Sequence, residues 1–290
     1  MSLDLAEVAI LTIHGNSPLY GGEYALNYPW PSIQMDHLRR HTPPGFTVCA
    51  FGNNIMPEHE AFLKSCPEVH LWTSTMPLLR KWRNVWPVRN WLIRQVHKKF
   101  RYLVMLDSDA FPVADGWLER YIGMLEDARP LVAVQRMEVG ETHSDRCFMV
   151  FSSEDWRRHY FDFSPMGALD PGGNISAELE ADGLDWTRLN RTNRWNPHPL
   201  IAGIYDHAIY HHAAGTRLPN VRGNTHLREN PETWTREILL HQGLMHLLFS
   251  DPSGFFARLE GLAPPLEEER ILAHGREVVV RRPELYQQPS

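Results

Sequence analysis

Three cysteines, Cys49, Cys66 and Cys147, are too few and too widely spaced for a disulfide framework or a zinc-binding pattern. Cys49 and Cys147 fall in apolar, strand-like runs, which predicts buried free thiols. No apolar run approaches the roughly 18 residues of a membrane-spanning helix. Basic residues are outnumbered: 29 Lys and Arg against 35 Asp and Glu leave a formal charge of -6, which argues against a nucleic-acid binder held by a general basic field. The opening MSLDLAEVAILTIHGN has neither a basic segment nor a long apolar one, so it predicts no secretory signal, with a cytoplasmic location as the default expectation. Internal repeats and long linkers are also missing. What is present suits a globular protein. A hydrophobic fraction of 43% in 290 residues can fill the core of one large α/β domain. The 10 tryptophans supply faces that suit sugars, and the 16 histidines supply imidazoles that suit metals.

The pattern along the chain alternates. Apolar runs at 7–13, 46–54 and 68–75 are each bounded by turn-forming or helical segments and read as buried strands. PEHEAFLKSC (57–66) reads as a helix started by Pro57, and 88–100 as another, with Trp91, Leu92, Val96 and Phe100 near helical spacing. RYLVMLDSDAF is the fourth strand, 116–128 an amphipathic helix and 130–136 the next strand. This rhythm predicts a mostly parallel central sheet with helices on both faces. After Val139 it changes: a strand at 146–152, a helix capped by Ser153, a glycine-rich turn entering a helix over 170–183, a strand-like 204–212 and a helix over 232–249. The expected organisation is one domain over 1–262, whose first half, to about 139, would bind one ligand and whose second half, from about 140, another. A charged, proline-containing arm follows over 263–290.

LVMLDSDAF (103–111) carries the chemistry. An apolar run ends in Asp107 and Asp109, and carboxylates are costly to bury unpaired. In an open parallel sheet, ligands bind beyond the carboxyl ends of the strands. Residues i and i+2 of a strand project to one side. Two carboxylates so placed can grip a divalent cation that in turn grips a diphosphate, and oxygen ligands favour Mg²⁺ or Mn²⁺ over zinc. Thr12, His14 and Asn16 lie just beyond the first strand, where a nucleotide's base and ribose would sit.

The run VRNWLIRQVHKKFRYLVMLDSDAF, with an Arg-Asn pair, a helix and an apolar strand ending in Asp-x-Asp, resembles the large inverting family of nucleotide-sugar-dependent glycosyltransferases of the GT-A fold. The resemblance covers roughly residues 7 to 217. IYHHAAGT (209–216) is similar to that family's late His and small-residue ending, and LDPGGNISAELEADGLDW is similar to its acidic helix start. The chain has Leu92 where the family usually has Gly, and DPGG where it has a Glu-Asp pair; such a pair, Glu154-Asp155, lies elsewhere, in SSEDW.

The resemblance implies a GT-A-like α/β enzyme that moves a sugar from a nucleoside diphosphate-sugar (a UDP- or GDP-sugar) to an acceptor hydroxyl. The acceptor would be a glycan, a lipid-linked molecule or a small molecule, and the reaction inverting. It places Asp107 on the ribose or a metal-bound water, Asp109 and His211 on the metal, Arg89 and Asn90 near the nucleotide, and a general base at Asp170. Glu154 and Asp155 stay open for the base, since Asp170 also fits a helix cap. His212 stays open beside His211, although in an extended segment it points the other way. RLNRTNRW (188–195) faces an anionic acceptor or is a solvated loop. A retaining outcome, a nucleotidyltransferase acting on sugar phosphates, and an inactive carbohydrate-binding protein on the same fold are the alternatives. HGNSPLYGG lacks the Lys or Arg a nucleotidyltransferase loop usually has, and the intact Asp pair argues against an inactive protein.

Overall fold

A computed structural model describes residues 3–15, 29–74, 85–137, 140, 142–164, 172–197, 201–213, 243–264, 268–273 and 276–281, the last two and 85–86 by backbone alone. The strands are β1 (Val8–Gly15), β2 (Thr47–Asn53), β3 (Val69–Ser74), β4 (Tyr102–Asp107), β5 (Ala110–Pro112), β6 (Leu131–Gln135), β7 (Ser144–Ser152), β8 (Thr187–Leu189), β9 (Gly203–Tyr205), β10 (Ile209–His211), β11 (Glu268–Ala273) and β12 (Arg276–Arg281). The helices are α1 (Trp30–His41), α2 (Pro57–Ser65), α3 (Val85–Val96), α4 (Trp117–Ile122), α5 (Ser153–His159), α6 (Gly173–Ala181), α7 (243–250) and α8 (Pro252–Leu259).

Apolar residues fill both faces of β1 and β4, as they do in strands covered by helices on both sides. These strands sit inside a seven-stranded sheet of order β3-β2-β1-β4-β7-β6-β8. The β3-β2-β1-β4 block is parallel, β7 runs antiparallel to both β4 and β6, and β8 is parallel to β6. Side-chain alternation splits the core. Val8, Ile10, Val104 and Leu106 pack with α1, α2 and α4 on one face. Ala9, Leu11, Leu103 and Met105 pack with α3 and α6 on the other. Each Val, Ile, Leu or Met side chain among these, once fully buried, contributes roughly 1.5–3 kcal/mol. The expected α/β architecture, a mostly parallel sheet flanked by helices, is present.

A second, three-stranded sheet of order β5-β10-β9 carries a third core. Phe111 and Tyr210 pack there with Trp30 of α1, Leu244 and Leu248 of α7, and Phe255 of α8. This sheet overhangs the carboxyl end of β4, because only Ser108 and Asp109 separate β4 from β5.

Several elements differ from the sequence expectation. LVMLDSDAF is two strands, because Ser108 and Asp109 form a turn between sheets. IYDHAIYHH is also two, β9 and β10. Asp206 and His207 both carry positive φ and Ala208 N donates to Tyr205 O at 3.0 Å, the signature of a type I′ hairpin turn. The expected helix over 116–128 stops at Ile122, with Gly123 as its C-cap. The cap of α5 is Ser152 rather than Ser153. Of the helix expected over 232–249, residues 243–250 are helical and the remainder lies outside the described residues. The arm contains an antiparallel hairpin, β11–β12. Among the described residues no helix is long and apolar enough to cross a membrane.

Candidate functional site

Gln34 organises the site's floor. It lies on the buried side of α1, a helix the sequence reading did not identify. Its Nε2 donates to Asp107 O at 2.8 Å and to Ala110 O at 2.7 Å, while its Oε1 accepts from Thr12 Oγ1 at 3.1 Å. One side chain thus ties β1 to both ends of the Ser108–Asp109 turn, with all its donors used. The signal was available: at helical spacing, Trp30, Ile33 and Leu38 share a stripe into which a polar Gln34 falls.

The hairpin of the small sheet brings His211 across. His211 pairs with Ala110, and the His212 amide donates to Asp109 O at 2.9 Å. The His211 Nε2 consequently lies 3.6 Å from Asp109 Oδ1, with both residues buried. Strand alternation sends His212 to the opposite side, where its Nδ1 meets the Tyr210 hydroxyl at 2.7 Å and its ring packs on Trp30 at 5.2 Å. Donor atoms of Asp107, Asp109 and His211 all lie within 4.8 Å of one another. Ligands about 2.1 Å from one octahedral ion are about 3 Å apart when adjacent and about 4.2 Å when opposite, so the set needs only small closure to fit one. The His211 Nδ1 is buried without a hydrogen-bond partner, which leaves that ring nitrogen's role unassigned within the protein.

Arginines surround the first aspartate. Arg89, projecting from α3, donates to Asp107 Oδ1 and is fully buried. Burial lowers its pKa to about 10, against the pull of Asp107. Its Nε and Nη1 are buried without hydrogen-bond partners. Arg146 of β7 approaches from the other side, Nε to Asp107 Oδ2 being 4.0 Å. Next to it, Asp145 lies 3.6 Å from Arg136. Burial works to raise the Asp145 carboxyl, but Arg136, His211 and Arg146 hold it well below the usual carboxylate range. Sequence reasoning missed Arg136, Asp145 and Arg146. Their signal was charge at the mouth of an otherwise apolar strand run.

The remaining expected residues are distributed as follows. Thr12 is buried, with its hydroxyl committed to Gln34. His14 is also buried, and desolvation, then the nearby His59, lowers its pKa to about 3, so it is neutral. Asn16 and Asp170 lie outside the described residues. Asn90 does not join Arg89 at Asp107; it donates to the Asp162 carboxylate and accepts from the Phe163 amide. Burial works to raise the Asp162 carboxyl, but hydrogen bonds from Ser164 and Asn90 hold it below its usual value.

Glu154 and Asp155 lie at the opposite end of β4 from Asp107. Ser152, the cap they follow, pairs with Tyr102 at the start of β4, five residues from Asp107, or about 17 Å along a strand. There Asp155 exchanges hydrogen bonds with Ser152 and Glu154 pairs with Arg158. Trp186 and Trp195 are core residues and Trp156 is half-buried, whereas Trp82 and Trp86 have no described side chains. In the RLNRTNRW run, Arg188 pairs with Glu180 and Asp185, and Arg191 donates to backbone carbonyls of Ile201 and Ala202.

No family model matches the chain, and no curated protein does. Among solved structures, the apo form of the bifunctional glycosyltransferase WbbM is similar, with a TM-score of 0.39 and 12% identity over 54% of this chain and 33% of that one. The likeness thus spans about a third of that protein's length, and at this depth it says nothing of what the present chain catalyses.

Proposed function

We propose that this chain is a GT-A-like, metal-dependent glycosyltransferase that transfers a sugar from a nucleoside diphosphate-sugar to an acceptor hydroxyl with inversion. The observation that carries the proposal is the convergence of Asp107, Asp109 and His211 at the carboxyl edge of a parallel sheet, which is where ligands bind in such sheets.

Asp109 and His211, with Asp107 at the rim, would hold Mn²⁺ or Mg²⁺, which when bound offsets charge growing on a leaving diphosphate. The protein's own groups do the rest. Arg89 is a buried cation bonded to Asp107, and its positive charge would favour a diphosphate held at that edge. Nucleotide base and ribose would lie over β1, at Thr12, His14 and Asn16. Asp170 would take the proton from the acceptor hydroxyl as C1 is attacked. In support, Gly172, two residues further along the chain, packs against Arg146 at the site, whereas Asp155 is at the far edge. Residues 1–139 would form the nucleotide half, 140–262 the acceptor half for a glycan, lipid-linked or small-molecule acceptor, and 263–290 a peripheral arm.

The test is incubation with UDP- and GDP-sugars, with and without Mn²⁺, while following release of free sugar. Slow hydrolysis that needs the metal supports a glycosyltransferase. Release of pyrophosphate from a nucleoside triphosphate and a sugar phosphate would instead make it a nucleotidyltransferase. No turnover, with a sugar bound but no nucleotide, would make it a binding protein.

A further inference from the structure

The β6–β7 ladder breaks beside the site. Ala133 faces Met149, but the next residue, Val134, faces Asp145. Residues 146 to 148 therefore have no partner on β6, although Phe148 still faces Leu106 of β4. Bulges bend a strand and re-aim its side chains, and they concentrate near active sites. A side chain closes this one: Asp145 Oδ1 accepts the Cys147 amide at 2.7 Å. Its carboxylate also faces Arg136 at 3.6 Å, and Arg146, the first bulged residue, points its Nε at Asp107 Oδ2 from 4.0 Å. Both separations exceed hydrogen-bond length, so these charges interact without closing on one another. Gly172 seals the bulge from outside. A Cβ there would meet Arg146 Cβ at 3.3 Å and Met149 Cε at 3.0 Å, and its φ of +96° also favours glycine.

Asp145 has no part in the proposed chemistry, yet it is 6% exposed and connects all of these groups. We infer that Asp145 is a positioning residue of the triad: it holds the bulge that aims Arg146 at Asp107, and its charge offsets Arg136 and Arg146 so that a cation can settle beside Asp109 and His211. The inference rests on the metal-binding reading of the triad. The depression of the Asp145 carboxyl by Arg136, His211 and Arg146 agrees with that placement.

Two variants separate the roles. Asp145→Asn keeps an oxygen for the Cys147 amide and removes the charge; Asp145→Ala removes both. Calorimetry on the full chain would use Mn²⁺ alone, and inorganic pyrophosphate in EDTA. Asp145→Asn is expected to melt below wild type, because Arg136 and Arg146 lose their buried counter-charge, but to bind Mn²⁺ about tenfold more weakly and metal-free pyrophosphate more tightly, since one negative charge has left the site. Asp145→Ala is expected to weaken both and to melt lower. A purely structural residue would lower the melting temperature without this opposite-signed split. Wild-type-like binding of both probes by Asp145→Asn overturns the inference and leaves the metal reading intact. A wild type that binds no Mn²⁺ overturns both. Should Asp145→Asn not fold, Arg136→Gln carries the test: Mn²⁺ binding should tighten several-fold, and unchanged binding overturns the inference.

Discussion

The His212 amide donates to the Asp109 carbonyl at 2.9 Å, and this backbone bond seats the neighbouring His211 imidazole 3.6 Å from the Asp109 carboxylate. Residues a hundred positions apart thus meet through β-pairing, not through side-chain attraction. The Asp109–His211 geometry is therefore expected to persist without metal.

The two histidines should separate cleanly on mutation. His211→Ala is expected to fold and to lose Mn²⁺ binding. His212→Ala removes a fully buried ring and its bond to Tyr210, so it should lose about 2 kcal/mol of stability. Denaturant titration alongside Mn²⁺ calorimetry reads both, and a reversed pattern would assign the metal side to His212.

Gln34→Leu strands the Asp107 and Ala110 carbonyls and the Thr12 hydroxyl at once. At about 1–3 kcal/mol for each buried group left unsatisfied, the loss should reach about 3 kcal/mol or more. Because the Ser108–Asp109 turn is released, Mn²⁺ affinity should fall as well. A stability loss with unaltered metal affinity would show that Gln34 braces the sheet without setting the turn.

Acid should weaken the fold through His14. Its pKa is depressed from 6.5 to about 3 by burial, so below pH 6.5 the unfolded chain binds the proton that the folded chain refuses. The contribution is fully present above pH 6.5 and is lost as pH falls towards 3, by about 5 kcal/mol at most. Buried His37, lowered to about 4 chiefly by desolvation, adds in the same direction. His14→Gln should therefore flatten, but not abolish, the decline of the urea midpoint between pH 6.5 and 4. An unaltered slope would contradict it.

Asp170→Asn and Asp155→Asn test the base. The first should cut transfer by several orders of magnitude with donor binding nearly intact. The second removes only a first-turn negative charge and weakens the acceptor for Ser152, so it should cost about 0.3–1 kcal/mol and leave transfer unchanged. The opposite ranking would mean that the SSEDW segment reaches the acceptor.

The sequence made the fold's first half legible because parallel strands covered on both faces appear as short apolar runs between turns. It also flagged Asp107 and Asp109, since carboxylates closing such a run have few structural reasons to be there. The parity of an extended segment showed that His211 and His212 face opposite ways, and the family resemblance selected His211. Strand direction was not readable: a parallel β7 would have put Asp155 at the carboxyl edge, and its apolar residues are the same either way. The Arg136–Asp145–Arg146 group was missed because a bulge is a property of two strands together. Gln34 was missed with its helix, whose start is marked by Pro31 rather than by a capping side chain.

The central claim is that Asp109 binds a metal needed for nucleotide binding. Calorimetry of UDP and GDP, with and without Mn²⁺, on wild type and Asp109→Ala tests it most directly. The prediction is that one nucleotide binds wild type far more tightly with Mn²⁺ and that Asp109→Ala, folded by circular dichroism, loses this gain. Equal affinity with and without Mn²⁺ in both proteins would contradict it.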